Sequence, residues 1–425
     1  MAPDVQSVHV VGAGVAGLAA AVRLSGLGYR VTVYESAGHA GGRCRSYYDD
    51  SLGTRIDNGN HLLLSGNQAV FGYLKAIGAE DSLSGPEKAE FPFLDLADNT
   101  RWTLRPGAGP IPWWIFNAAR RVPESSPWDY FGALKLAWAE PEATVADVFG
   151  GNRGLYRRFW EPLAVAVLNT SANEASASLL WPVVRETFGR GESACRPRIA
   201  RRGLSESFVD PALAYLTGRG SRILFNHRLR AIEYDGDRAM TMDFGAERIP
   251  LSPEEHLILA LPPAVAKTLV PDLTAPTESR PIVNAHFRLG DESREKVDIS
   301  FLGLVGGACH WLFIRDGIAS VTVSAADALA ERSSDEIAAR LWMELGGILG
   351  KKADSPPLWR IVKEKRATFA QTPEQVLLRP SSETRWKNLY LAGDWTKTGL
   401  PATIEGAIRS GYTAAGLVAE RGAKS

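Results

Sequence analysis

The two ends of this chain carry elements that suit one ligand stretched between them. Near the start, the apolar run Val8-His9-Val10-Val11 leads into Gly12-Ala13-Gly14-Val15-Ala16-Gly17. The next such run, Arg30-Val31-Thr32-Val33-Tyr34, closes on Glu35 and Ser36. Near the end, Leu389-Tyr390-Leu391-Ala392-Gly393-Asp394 precedes Pro401-Ala402-Thr403-Ile404-Glu405-Gly406. The first element reads as a buried strand, a glycine turn, a helix that stops at Gly28 and a second strand. In that order Gly12 makes the turn, Gly14 lets a pyrophosphate reach the backbone, and Gly17 seats the helix against the sheet. Val15 and Ala16 belong to the helix's first turn, where unpaired amides and the positive dipole end attract phosphate. A carboxylate at Glu35, with Ser36 beside it, can hold ribose hydroxyls. A glycine turn alone also suits a purely structural role; strand, helix and acid at this spacing together indicate a dinucleotide site.

Composition narrows the class. The chain has 425 residues, 45% of them hydrophobic, enough for a sizeable core and two domains. With 48 basic and 48 acidic residues there is no global attraction to nucleic acid. Cys44, Cys195 and Cys309 form no CxxC pair, so neither a disulfide framework nor a metal site is expected, and a reducing cytoplasmic setting fits. The stretch from Val8 to Ala21 lacks a basic flank and is cut by glycines, so it is read as fold rather than signal peptide. No run reaches the ~20 apolar residues of a membrane span, which leaves a soluble protein or one peripheral at the inner face of the cell membrane.

Further elements extend the nucleotide site. Gly41-Gly42-Arg43 can clear space beside a pyrophosphate and neutralise it with a guanidinium; an ordinary turn with a surface arginine is the plainer alternative. The stretch from Glu35 to Arg43 resembles the motif of flavin amine oxidases and phytoene desaturases, which implies FAD. The same resemblance places Asp57-Asn58-Gly59-Asn60-His61 against the flavin ring, with Gly59 at the closest backbone approach and Asn60 and His61 as the first polar side chains facing it. It also makes Leu229, in Arg228-Leu229-Arg230, the adenine contact. Gly393 and Asp394 then suit the ribityl hydroxyls. Pro401 suits a first helical turn, and the amides around Thr403 and Ile404 suit the flavin N1/O2 edge. Ala407, Gly411 and Ala415 recur at helical spacing and give the last helix a small-residue face for close packing on the first.

The expected architecture is α/β: a discontinuous Rossmann-like FAD-binding domain from residues 1–84, 200–276 and 386–425, intertwined with an α+β substrate domain from 85–199 and 277–385. The first insertion is rich in aromatics. Seven of the twelve tryptophans fall between Trp102 and Trp181, close to Arg120, Arg121, Arg153, Arg157 and Arg158. Such a segment suits a membrane surface, the wall of an apolar substrate tunnel, or an ordinary aromatic core with a solvated basic rim. For His286 and His310, in strand-like segments, a structural role is expected.

The spelling of both ends is similar to that of the squalene-associated FAD-dependent desaturases, a family connected with hydroxysqualene dehydroxylation on the way to squalene and hopanoids. The likeness spans most of the chain but is specific mainly in Asp57-Asn58-Gly59-Asn60-His61-Leu62-Leu63-Leu64 and from Leu389 to Ala407. Position 60 departs from it: Gln is expected and Asn stands there, keeping the amide with a shorter reach. The resemblance implies an apolar isoprenoid substrate and hydride transfer from reduced flavin N5 to an allylic carbon as its hydroxyl leaves protonated. His61 and Asn60 become the catalytic candidates, His61 as the acid. One dinucleotide fingerprint implies an external electron donor. A carotenoid desaturase, an amine oxidase and a non-catalytic prenyl carrier like the GDP-dissociation inhibitors remain alternatives.

Overall fold

The computed structural model describes residues 6–150, 153–290, 300–352 and 355–422. Short apolar runs that can be buried on both faces make parallel strands, and five of them form one parallel sheet. Its order is Arg222–Leu224, Arg30–Tyr34, Ser7–Val11, His256–Leu259 and Leu389–Leu391. Register pairs Val10 with Val33 on one side and with Ile258 on the other. One face buries Val8, Val10, Val31, Val33 and Ile258 under the first helix (Val15–Gly26) and the last (Ile404–Gly422). The opposite face buries Val11, Leu257, Leu259 and Leu391 with Met242 and Phe244 of a small antiparallel sheet spanning Ala231 to Pro250.

A second, seven-stranded sheet runs in the order Trp359–Phe369, Ser279–Arg288, Ile318–Val323, Trp311–Arg315, Phe301–Val305, Phe91–Asp95 and Arg101–Leu104. It is antiparallel except where Phe301–Val305 lies parallel to Phe91–Asp95. The amphipathic helix Ser334–Ile348, started by a Ser333/Glu336 capping box, covers one face through Ile337, Leu341, Trp342 and Leu345. Aromatic and aliphatic side chains from residues 114–184, in short helices, pack over the sheet's Phe91 end. The ribbon of Ser46–Asp49 and Thr54–Asp57 is fastened to the seven-stranded sheet: Asp57 meets Arg315 at 2.7 Å, and Asp49 meets Arg360 at 2.5 Å. Among the described residues no helix is long and apolar enough to cross a membrane.

Two local expectations change. Pro401 precedes the last helix rather than opening it; the helix starts at Ile404, because the Thr403 hydroxyl accepts the Gly406 amide at 3.1 Å. His310 lies in the turn before Trp311–Arg315, where its Nδ1 accepts the Ser324 amide at 3.2 Å. Of the basic residues in the aromatic insertion, Arg158 is buried and binds the fully buried carboxylate of Asp95 at 3.0 Å, while Arg157 binds the same carboxylate from the exposed side. The Arg153 side chain lies outside the described residues.

The small-residue face of the last helix rests on the first. A Cβ at Gly411 would stand 2.2 Å from the Ala16 carbonyl oxygen and 3.0 Å from the Ala20 amide nitrogen, whereas one at Gly416 meets nothing within 4 Å. Gly411→Ala is therefore expected to cost ~1–3 kcal/mol by overpacking. Gly416→Ala should be neutral or stabilise by up to ~1 kcal/mol. Urea unfolding of the two variants checks this, and equal stability would contradict the packing argument.

Candidate active site

The nucleotide end is built from amides left open by the fold. The first helix begins after Gly14 with no side-chain cap and no acid in its first turn, so the early amides, including those of Val15, Ala16 and Gly17, have no intrahelical acceptor. Gly12, at φ 105°, and Gly17 are packing positions: Cβ atoms there would lie 2.3 Å from Ala260 O and 1.9 Å from Gly12 O. Gly14 differs, since a Cβ there meets nothing within 4 Å. Gly41 donates its amide to Ala13 O at 2.8 Å, which brings Gly42 beside Gly14. Two glycine loops and one uncapped helix thus border the same space. Glu35 accepts the Ala13 amide at 2.8 Å through one oxygen, and the Ala37 amide at 2.9 Å and the Ser36 hydroxyl at 3.1 Å through the other. Leu229 is buried with Val11 and Tyr34, near the ends of the first two strands.

At the other end, Arg43 joins the two termini. Its guanidinium donates to Asp394 at 2.9 Å and to the Ala367 carbonyl, and the neighbouring Asp394 carboxylate raises its pKa further. Gly393 donates its amide to the Ser410 hydroxyl of the last helix at 2.8 Å. Arg379 holds the segment that follows. It is buried and donates to the carbonyls of Asp394 at 3.1 Å and Thr396 at 3.0 Å and to the Thr398 hydroxyl at 2.9 Å, and burial lowers its pKa to about 10. Thr403 and Ile404 form the start of the last helix beside this segment. Glu405 turns to other work: its carboxylate accepts the Ala69 and Val70 amides at 3.1 and 2.9 Å and so caps the helix Gln68–Ala76.

The segment from Asn58 to His61 is held by the seven-stranded sheet. Asn58 donates to Glu364 at 3.3 Å, and its carbonyl accepts from Asn284 at 3.2 Å. A Cβ at Gly59 would lie 3.0 Å from the Asn284 amide nitrogen, so the tight neighbour on that side of Gly59 is Asn284. Asn60 donates to the Thr322 hydroxyl at 3.0 Å, which in turn donates to Asn284 at 2.7 Å. Asn60 and His61 border a cavity with Asp57, Phe313, Arg315 and Ser320. His61 keeps part of its surface open to this cleft but is enclosed by protein, and that enclosure pushes its imidazole down to about 4. The ring is neutral at pH 7, so it offers a hydrogen bond rather than a standing acid. His286 lies behind the cavity, bonded through Nδ1 to Ser320 Oγ at 2.7 Å.

The family profile of the flavin containing amine oxidoreductases matches residues 15–419. The chain belongs to this family. With the dinucleotide cradle, a flavin means FAD. Within the family the chain is 49% identical to hydroxysqualene dehydroxylase of Rhodopseudomonas palustris, covering 98% of this chain and 99% of that protein. It is 47% identical to hydroxysqualene dehydroxylase of Sinorhizobium fredii, covering 97% and 98%. A probable zeta-carotene desaturase of Synechococcus elongatus is 24% identical over 97% and 98%. Among solved structures, a putative protoporphyrinogen oxidase from Exiguobacterium shares the fold, with a TM-score of 0.69 and 15% identity over 99% of both chains.

The residues present fit FAD. Gly14 opens onto space beside uncapped amides, and Arg43 and Asp394 stand at the far end as a cation and an acceptor. Arg379, Asn284, Thr322 and Glu405 are absent from the sequence reading. Asn284, Thr322 and Glu405 act on segments more than two hundred residues away and Arg379 on a loop 15–19 residues on, and only Glu405 lies inside a recognised motif. Arg43→Met removes a charge-assisted bond worth ~1.5–3 kcal/mol and should weaken FAD binding roughly 10- to 100-fold. Arg379→Met should weaken it as well, by freeing residues 394–398. Flavin titration of the apoprotein measures both, and wild-type affinity in both variants would refute the assignment.

Burial also couples stability to pH. His61, His256 and His286 are each pushed to about 4 from the ordinary 6.5, chiefly by desolvation. The unfolded chain therefore binds more protons than the folded one in this window. Stability is fully present above about pH 6.5 and declines as pH falls toward 4. Thermal unfolding should show a lower midpoint at pH 5 than at pH 7, with part of the difference abolished by His256→Phe; a flat profile would contradict it.

Proposed function

We propose that this chain reductively removes the allylic hydroxyl of hydroxysqualene to give squalene, using FAD, in triterpene or hopanoid synthesis. The observation that carries this reading is the likeness, over nearly the whole chain, to hydroxysqualene dehydroxylases; the carotene desaturases stand much further off. The net change replaces C–OH by C–H, consuming one hydride and one proton and releasing water. Reduced FAD, when bound, supplies the hydride. The protein must fix the reacting carbon, keep bulk water away and assist the departing oxygen. Asn60, braced by Thr322 and Asn284, is suited to fixing the hydroxyl's position. His61, neutral beside it, can polarise the carbon–oxygen bond by donating a hydrogen bond, with the full proton arriving from solvent through the cavity. Leu62 and Leu64 continue the chain into the apolar cluster of residues 89–188, a surface suited to a polyene. With one dinucleotide fingerprint in the chain, we assign flavin reduction to a separate electron donor.

Anaerobic incubation of the reduced holoprotein with hydroxysqualene should yield squalene and reoxidise the flavin in equal amounts. His61→Phe should slow that step roughly 100-fold or more while FAD stays bound. With a neutral imidazole, the wild-type rate should not depend on His61 titration between pH 6 and 8. No squalene, together with conversion of phytoene to a desaturated product by the oxidised enzyme, would reverse the reading to a desaturase.

A further inference from the structure

We propose that the face formed by residues 111–138 docks on an anionic lipid bilayer. Half of the large apolar side chains exposed on the described surface fall in this one stretch. Trp113, Trp128 and Trp138 are 69%, 73% and 77% exposed, and Phe116, Phe131 and Leu134 are exposed with them. They form one patch: Trp113 lies against Phe116 with ring centres 6.2 Å apart, Trp128 stacks on Phe131 at 5.8 Å, and the short helical turns that carry them pack on one another. They cannot turn inward, because Trp114, Ile115, Tyr130 and Leu136 already fill the interior beneath them.

Charge selects the occupant. The acids of the stretch are engaged within the protein: Glu124 reaches Arg158 at 3.4 Å, and Asp129 accepts the Ser126 amide at 2.7 Å. Arg120, Arg121 and Lys135 have no carboxylate partner among the described residues. Exposed tryptophans beside bases that no carboxylate neutralises suit the headgroup zone of a bilayer carrying negative lipid. The aromatic cluster under the patch reaches from Trp114 and Tyr130 to Leu62 and Leu64, next to His61. The apolar interior is thus continuous between the exposed face and the proposed reaction site. Docking on this face does not depend on the proposed substrate.

The test is sedimentation of the FAD-bound protein with vesicles of phosphatidylglycerol or of phosphatidylcholine, alongside turnover of hydroxysqualene in detergent micelles. Wild type should sediment with phosphatidylglycerol vesicles with a blue shift of tryptophan emission. The combined Trp113→Ser, Trp128→Ser and Trp138→Ser variant should lose at least tenfold in partition while keeping its turnover in micelles. Arg120→Gln with Lys135→Gln should bring phosphatidylglycerol binding down toward that of phosphatidylcholine. Wild type remaining in the supernatant with both vesicles, or the triple variant partitioning like wild type, would overturn the proposal. So would a dimer in solution that the triple substitution dissolves, since the face would then belong to a second copy. Vesicle binding without turnover in micelles by any of the proteins would remove the dehydroxylase reading and leave the docking surface standing.

Discussion

The first and last helices meet backbone to backbone, and the cofactor site exists only because they do. Gly411 and Ala415 present no bulk, so the last helix settles directly on Ala16, Ala19 and Ala20 of the first. That approach places Leu389–Leu391 at the sheet edge and brings Asp394 onto Arg43. A glycine fingerprint by itself cradles a diphosphate. The helix pair joins that cradle to the Arg43–Asp394 end, beside the segment that the seven-stranded sheet holds at Asn58.

The site carries charge largely as ion pairs. Its strong ion pairs, Arg43 with Asp394 and Arg315 with Asp57, are made between distant segments and hold those segments in register. The reaction cavity is bordered by the second of these pairs, by Arg55 and Asp316, and by an amide and a neutral imidazole. Enclosing His61 leaves an uncharged ring that keeps its hydrogen-bonding capacity.

What the sequence disclosed follows how local each signal is. The strands at Val8, Arg30, His256 and Leu389 are continuous apolar runs, and the turn at Gly12 is written in adjacent residues, so they were readable in one dimension. The Gly411 face was readable because helical periodicity is short. Arg379, Asn284 and Thr322 were not: each gains its meaning from a carbonyl or amide brought near by the folded sheet, and none stands in a distinctive pattern. The start of the last helix was misplaced because Thr403, a ready cap, outcompetes Pro401 for that position. For the aromatic insertion, composition could not separate inward from outward tryptophans. The fold does so, burying Trp102, Trp114 and Trp160 and exposing Trp113, Trp128 and Trp138.

The central strand, Ser7–Val11, pairs with His256–Leu259, and that strand pairs in turn with Leu389–Leu391. The sheet is therefore completed only by residues emerging late from the ribosome, and long loop closures precede its formation. Until then the early strands wait with apolar faces uncovered, and no full-length ligand can lodge. A ligand that binds only the completed state pulls the population toward it by mass action. Flavin supply thus becomes a determinant of how much of this polypeptide survives proteolysis in the cell, separately from how fast any surviving molecule turns over.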